Sequence, residues 1–147
     1  MTGAKSMTEI VFVDTNILIY AHDRDAGDKR KLAARALDKL WDTQSGRLSV
    51  QVLQEFYVTV TKKLTNNLGR ATAREVIRSY TPWVHYPTTP DTILRASEIA
   101  ELSQLSFWDG LIVASAEQAG ATRLYTEDLN AGQSIVGVRI VNPLIAG

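Results

Sequence analysis

The sequence predicts an α/β layered fold with a mostly parallel sheet. Two observations carry this. Short β-branched apolar runs alternate with segments of helical periodicity along the chain, and such alternation marks parallel strands joined by helical crossovers. In addition, the 147 residues contain no repeat, no low-complexity tract and no linker long enough to divide them, which fits one domain with a substantial core.

The elements follow in order. Residues 1–7, MTGAKSM, read as a disordered leader, with a single domain over residues 8–147. Ile10, Val11, Phe12 and Val13 are too apolar and β-branched for a surface loop and read as a buried strand. A short helix over Asn16 to Ala21 is broken by HDRDAGD. From Asp28 to Trp41, Ala33, Ala36, Leu37, Leu40 and Trp41 share a helical face, and most of the charged residues lie off it. SGRLSV gives a turn and a short strand. Val50 to Leu64 is helical, with Leu53, Phe56, Tyr57, Val60 and Leu64 at helical spacing, and a further helix covers Arg70 to Tyr80. WVHYP is expected to be a strand. Thr89-Pro90-Asp91 opens a helix with a capping hydroxyl, a proline at the first position and an acid in the first turn. That helix runs to about Gln104. Another spans Phe107 to Ala119 and stops at Gly120. ATRLYT and GVRIV are the last two strands.

Composition narrows the function. Sixteen basic residues balance sixteen acidic ones, counted as Lys+Arg 16 and Asp+Glu 16, so nucleic-acid binding would need a local patch or a metal. The absence of cysteine excludes disulfides, thiolate metal sites and a cysteine nucleophile, and suits a reducing compartment. No apolar run approaches the roughly 20 residues of a membrane span, and no signal-peptide core is present.

Four acids stand in awkward places. Asp14 separates the first strand from the apolar Ile17-Leu18-Ile19-Tyr20, where a lone buried carboxylate is costly without a hydrogen-bonding role or a cation. Glu55 lies on a helix that is apolar over most of its circumference, in a narrow polar stripe with Gln51 and Gln54; a solvated helix face is the plain alternative. Asp109 opens an apolar helix, and Ser106-x-x-Asp109 also matches a capping box. Asp128 follows a strand, where an Asx turn is the ordinary reading, and Glu127 beside it confuses the assignment. Asp14 and Asp128 follow strands that should be parallel and open at one edge of the sheet, where sites gather in such folds. Converging carboxylates repel one another unless a cation is present, and as hard oxygen ligands they suit Mg²⁺ or Mn²⁺.

The combination of VDTNILIYA, QEFY, FWDGLIVASA and LYTEDLNAGQSIVGVRIVNP resembles a PIN domain, most closely the VapC-type toxins of bacterial toxin–antitoxin pairs. The resemblance runs from about Thr8 to Pro143, and the DTN after an apolar strand and the WD opening an apolar helix are its most specific pieces. It implies a PIN-like three-layer fold with a sheet of four or five strands flanked by helices. It also implies a divalent-metal-dependent ribonuclease, usually a homodimer in the cytoplasm, held inactive by a cognate antitoxin protein. Asp14, Glu55, Asp109 and Asp128 match the family's acidic quartet, Asn16 a polar residue near it, and Thr126 a supporting hydroxyl. Asp14 and Asp109 are then the expected direct metal ligands. Asp128 and Glu55 would bind a second ion, hold waters of the first or orient the attacking water.

Other candidates are weaker. DRDAGD begins like a calcium loop but places Gly27 one position early and Ala34 where the bidentate acid belongs. His22 and His85 have no metal-ligand spacing. No G-x-G-x-x-G or P-loop occurs. An aspartyl phosphatase would place a second Asp where Asn16 stands. Arg70, Arg74 and Arg78 form one basic helical stripe, preceded by Lys62 and Lys63, which reads either as a solvated face or as a phosphate-tracking RNA contact. From a different class, the alternative is a catalytically silent PIN-like scaffold that binds RNA or protein.

Overall fold

A computed structural model describes residues 9–145; the leader expected over residues 1–7 lies outside them. Five strands, β1 (Val11–Val13), β2 (Gly46–Arg47), β3 (Arg123–Tyr125), β4 (Ser134–Ile135) and β5 (Val138–Val141), form one sheet in the order β2-β1-β3-β5-β4. β1 pairs in parallel with β2 and β3, and β3 in parallel with β5; only β4 runs antiparallel, against β5. The helices are α1 (Thr15–His22), α2 (Asp28–Thr43), α3 (Val50–Lys62), α4 (Arg70–Tyr80), α5 (Pro90–Ser103) and α6 (Phe107–Gln118). The expected α/β architecture, a mostly parallel sheet flanked by helices, is therefore present.

The core is continuous. Phe12, Val13, Ile17, Leu18, Val52, Phe56, Val60, Ile99, Val113, Leu124 and Ile140 are fully buried, uniting β1, β3, β5 and the helices around them. α6 is the most enclosed helix: every residue from Gly110 to Ala116 is buried, as an all-round apolar sequence requires. It lies against β1, β3 and β5 and packs most extensively on α5. That packing depends on Gly110, where a Cβ would stand 2.6 Å from the Ala96 carbonyl oxygen and 3.0 Å from the Ala100 Cβ. Arg95 of α5 clasps Glu117 of α6 with two hydrogen bonds, at 2.8 and 3.0 Å.

Two expectations need correction. WVHYP is not a strand. Thr81–Trp83 forms a 3-10 helix, and the chain from Val84 to Thr89 joins no sheet. Pro82 has no N–H to give a ladder, and the Trp83 carbonyl accepts a single backbone bond, from Leu48 at 3.0 Å. The Trp83 ring fills the space over Gly46 and packs against Trp41 and Tyr80, at centroid distances of 4.5 and 5.0 Å. Packing thus decides a segment whose composition favours β structure. Conversely, Ser134–Ile135 is a strand the sequence reading did not separate from its loop. It pairs with β5 through a two-residue turn, Val136-Gly137, with φ of 45° and 83°. Such turns favour residues that accept positive φ, and a β-branched valine hides the signal.

Candidate active site

β1 ends directly in Asp14, which is also the N-cap of α1. One residue thus closes a buried strand and opens a helix whose first turn is packed into the core, and Asp14 is only 6% exposed. Oδ1 accepts the Thr15 N–H at 2.7 Å, and Oδ2 accepts the Thr126 hydroxyl at 2.8 Å. Burial nevertheless raises the Asp14 pKa to about 6; these two hydrogen bonds oppose the rise, and the negative charges of Asp128 and Glu55 add to it. Among the described residues, no cationic side chain pairs with this carboxylate.

β3 runs parallel to β1, and its exit delivers Thr126 and Asp128 to the same edge. Thr126 is fully buried; besides donating to Asp14, its Oγ1 accepts the Asp128 N–H at 3.1 Å. Asn16 locks the two loops together. Its amide donates to Asp128 Oδ2 at 3.0 Å and to Thr126 Oγ1 at 3.4 Å, and its Oδ1 accepts the Glu127 N–H at 3.3 Å. The two adjacent acids separate cleanly: Glu127 turns away to accept from Tyr20 Oη at 2.5 Å and Lys29 Nζ at 2.6 Å, and Asp128 faces the cleft.

α3 supplies Gln51, Glu55 and Thr59, one turn apart along a single stripe. Glu55 is exposed and accepts the Thr15 hydroxyl at 3.3 Å, so it is both a solvated helix residue and a wall of the cleft. Gln51 is 9% exposed, and its Oε1 is buried without a hydrogen-bond partner. α6 contributes Asp109 in its first turn. Ser106 caps that helix, its hydroxyl accepting the Asp109 N–H at 3.1 Å. The reciprocal bond from the Asp109 carboxylate to the Ser106 N–H, which a full capping box requires, is not formed among the described residues. Asp109 is instead among the residues that line the cleft.

Asp14, Glu55, Asp109 and Asp128 therefore line one cleft of about 210 Å³, with Asn16, Gln51 and Trp108 in the same wall. No lysine or arginine is among its lining residues. Among the described residues, no three acidic or histidine side chains are gathered tightly enough to enclose an ion by themselves. The donor set nevertheless fits a hard divalent cation: all donors are oxygens, the charge is uniformly negative, and the buried Asp14 lacks a counter-charge. Mg²⁺ commonly keeps several waters and takes only one or two carboxylates directly, so an open arrangement suffices.

Residues outside the cleft are also placed. Arg70, Arg74 and Arg78 are exposed on α4, whose main partners are α3 and the 3-10 helix, and Arg78 pairs with Glu75. They do not line the acidic cleft. His22 is half-buried, edge-on to Phe56 at 5.7 Å; burial lowers its pKa, with a further contribution from Arg30, so it is an ordinary packing histidine. The sequence reading sets Gln51 in one polar stripe with Glu55 but does not assign it to the site, and it does not find Trp108 as part of the wall. Trp108, beside Asp109, reads as core from its side chain alone.

Comparisons with known proteins bear on the family and the fold. The PIN domain family model matches residues 11–133. A toxin–antitoxin complex from Klebsiella pneumoniae superposes with a TM-score of 0.66 at 21% identity, covering 90% of this chain and 97% of that one. VapC20 of Mycobacterium tuberculosis, described as a toxin that cleaves the sarcin–ricin loop, gives 0.61 at 24% identity over 88% and 98%. DNA-bound VapBC from Salmonella typhimurium gives 0.63 at 18% identity over 92% and 99%. No curated protein matches the chain.

Proposed function

The chain belongs to the PIN domain family, and from that premise we propose that it is a divalent-metal-dependent endoribonuclease, the toxin of a type II toxin–antitoxin pair. The observation that carries the proposal is the convergence of Asp14, Glu55, Asp109 and Asp128 on one cleft without a basic residue in its wall. A structural ion pair would explain acids with partners; these four surround an opening. The toxin–antitoxin assemblies among the similar structures, and the RNA-cleaving toxin among them, support RNA as substrate and an antitoxin protein as partner. A homodimer acting in the cytoplasm completes the reading. Among the described residues, no helix is long and apolar enough to cross a membrane.

Asp14 and Asp109 would hold Mg²⁺ or Mn²⁺ directly, and Asp128 and Glu55 would hold its waters or a second ion. When bound, the ion supplies charge stabilisation at a phosphoryl oxygen and lowers the pKa of a water. The chain's own residues do the positioning. Thr126 and the Thr15 N–H fix both oxygens of Asp14, so the carboxylate loses little freedom on engaging its ligand. Asn16 and Thr126 hold the loop that presents Asp128. Thr15 donates its hydroxyl to Glu55 at 3.3 Å, and the Glu55 carboxylate, held in this way, would orient an attacking water. Arg70, Arg74 and Arg78 would track RNA phosphates outside the cleft. Charge reversal of Arg74 and Arg78 should then flatten the salt dependence of RNA binding by about one unit of slope per lost contact.

The test is expression with and without the neighbouring small gene, alongside Asp14→Asn, with mapping of cleaved RNA ends. Growth arrest and new RNA ends are expected only for the parent expressed alone. Purified protein should cut RNA with Mg²⁺ or Mn²⁺ and stop in excess EDTA. Cleavage undiminished by EDTA would overturn the metal mechanism. RNA binding without cleavage in either metal would favour the silent scaffold.

A further inference from the structure

Trp108 is 63% exposed, whereas Trp41 is 36% and Trp83 only 4% exposed. The most exposed indole of the chain thus stands in the wall of the acidic cleft, next to Asp109. Leaving so large an apolar surface in water is unfavourable, and α6 is enclosed only from Gly110 to Ala116, so Trp108 in its first turn stands outside the buried length of the helix. The ring is also supported. Phe107 meets it edge to face, with centroids 5.2 Å apart and planes at 79°.

The cleft poses an electrostatic difficulty for an RNA substrate. The chain's formal charge is zero, and four carboxylates with no lysine or arginine among them repel phosphates. The chain's own side chains in this wall offer a phosphate no attraction, and a divalent ion bound there would engage the reacting phosphate alone, so holding the neighbouring nucleotide calls for a contact that does not depend on charge. Base stacking on an aromatic face supplies it, tolerates any base and works on unpaired nucleotides.

We propose that Trp108 is the base-stacking platform of the cleft, receiving the base of an unpaired nucleotide beside the phosphate to be cut. This rests on the ribonuclease reading above. Trp108 then sets where a single-stranded or looped RNA sits, and it selects against duplex, whose bases are already stacked.

The experiment measures binding of a short single-stranded RNA in EDTA, where nothing is cut, by fluorescence and by competition, for the parent, Trp108→Phe and Trp108→Ala. RNA should quench the parent's tryptophan emission, and the quench should vanish in Trp108→Phe. Trp108→Ala should bind roughly five- to a hundredfold more weakly, with Trp108→Phe in between. The salt slope should be the same in all three, since stacking releases no counterions. An abasic nucleotide moved along the RNA should weaken the parent at one position and leave Trp108→Ala unaffected there. Melting temperatures should agree, because the ring is mostly in solvent. Trp108→Ala binding and cutting RNA like the parent overturns the stacking role and leaves the nuclease reading intact. A change in sedimentation without a change in RNA affinity also overturns it, assigning the ring to a protein contact. A parent that shows the Trp108-dependent quench but never cuts RNA with Mg²⁺ or Mn²⁺ supports the platform and overturns the nuclease.

Discussion

The seam between α5 and α6 and the cleft at the start of α6 treat the same chemical group in opposite ways. At the seam, Glu117 meets Arg95 in a two-pronged pair, and that hydrogen bonding lowers its pKa. In the cleft, Asp14 is more deeply buried, yet it meets only neutral donors and two further acids, and its pKa rises to about 6. The seam's acid is matched within the chain and serves the fold. The cleft's acid has no cationic partner among the described residues, and its burial costs the fold. A carboxylate that the chain destabilises when it had the means to pair it is a sign of function.

The contrast breaks most sharply at Asp14. The pKa rises from 3.8 to about 6 on folding, so the folded state holds the proton more tightly than the unfolded chain. Metal-free stability should therefore fall as pH rises between about 4 and 6, by up to roughly 3 kcal/mol, and stay low above it. In Asp14→Asn that fall should be missing, and the metal-free variant should melt at or above the parent at pH 7. Its cleavage should drop by more than the roughly 10–100-fold expected for losing an outer partner of a metal ligand. Urea melts at several pH values in EDTA, paired with an RNA cleavage assay, measure both. A pH dependence identical to the parent's would remove the strained carboxylate from the account.

Thr126→Val sharpens the same contrast. The fully buried hydroxyl donates to Asp14 and accepts from Asp128, and its loss strands both groups. A cost of about 1.5–3 kcal/mol is expected at neutral pH, with the stability fall shifted to higher pH because a bond to the ionised form is gone. Activity should decline about 10–100-fold. Unaltered melts would mean water replaces the hydroxyl.

In the first turn of α6, the helix cap and the proposed ligand are separable. Ser106 supplies the cap, so Ser106→Ala should cost about 1 kcal/mol and leave cleavage largely intact. Asp109→Asn should do the reverse: stability nearly held, cleavage lost, and the gain in melting temperature from added Mg²⁺ reduced. If Asp109→Asn melts well below the parent and still gains as much from Mg²⁺, Asp109 belongs to the helix and not to the site.

The smallest effect belongs to the seam. Both partners are more than a third exposed in their side chains, at 39% and 34%, so screening limits Arg95→Ala to about 1 kcal/mol or less. Cleavage should be unchanged. A large loss of activity would show that the seam sets the position of Asp109.

These outcomes bear on what a single sequence discloses. The runs ending at Val13 and at Tyr125 read as strands, and parallel neighbours put Asp14 and Asp128 at one edge. Periodicity and caps fixed α4, α5 and α6 nearly to the residue. The segment around Trp83 is misleading because its ring packs not only on nearby Tyr80 but on Trp41, about forty residues earlier in the chain, and that distant contact decides its conformation. β4 was hidden because its turn uses valine where asparagine or aspartate would have advertised it. In the site, sequence alone could not choose between Glu127 and Asp128; the choice depends on Tyr20 and Lys29, about a hundred residues earlier. It also could not decide whether Asp109 was a cap, since that turns on which member of the Ser106–Asp109 pair forms the bond.

Gly110 carries one more consequence. With the Ala96 carbonyl 2.6 Å from where its methyl would be, even alanine would push α6 off α5 by about 1 Å to reach ordinary contact. Asp109 and Trp108 precede it in the same helical turn and would travel with it. The reach of the acid and the tilt of the ring are thus gauged together, by a clearance in the scaffold that neither residue touches. Variation at position 110 would retune the whole mouth of the cleft at once, so a protein engineer would do better to shape specificity at position 108 and leave that clearance alone.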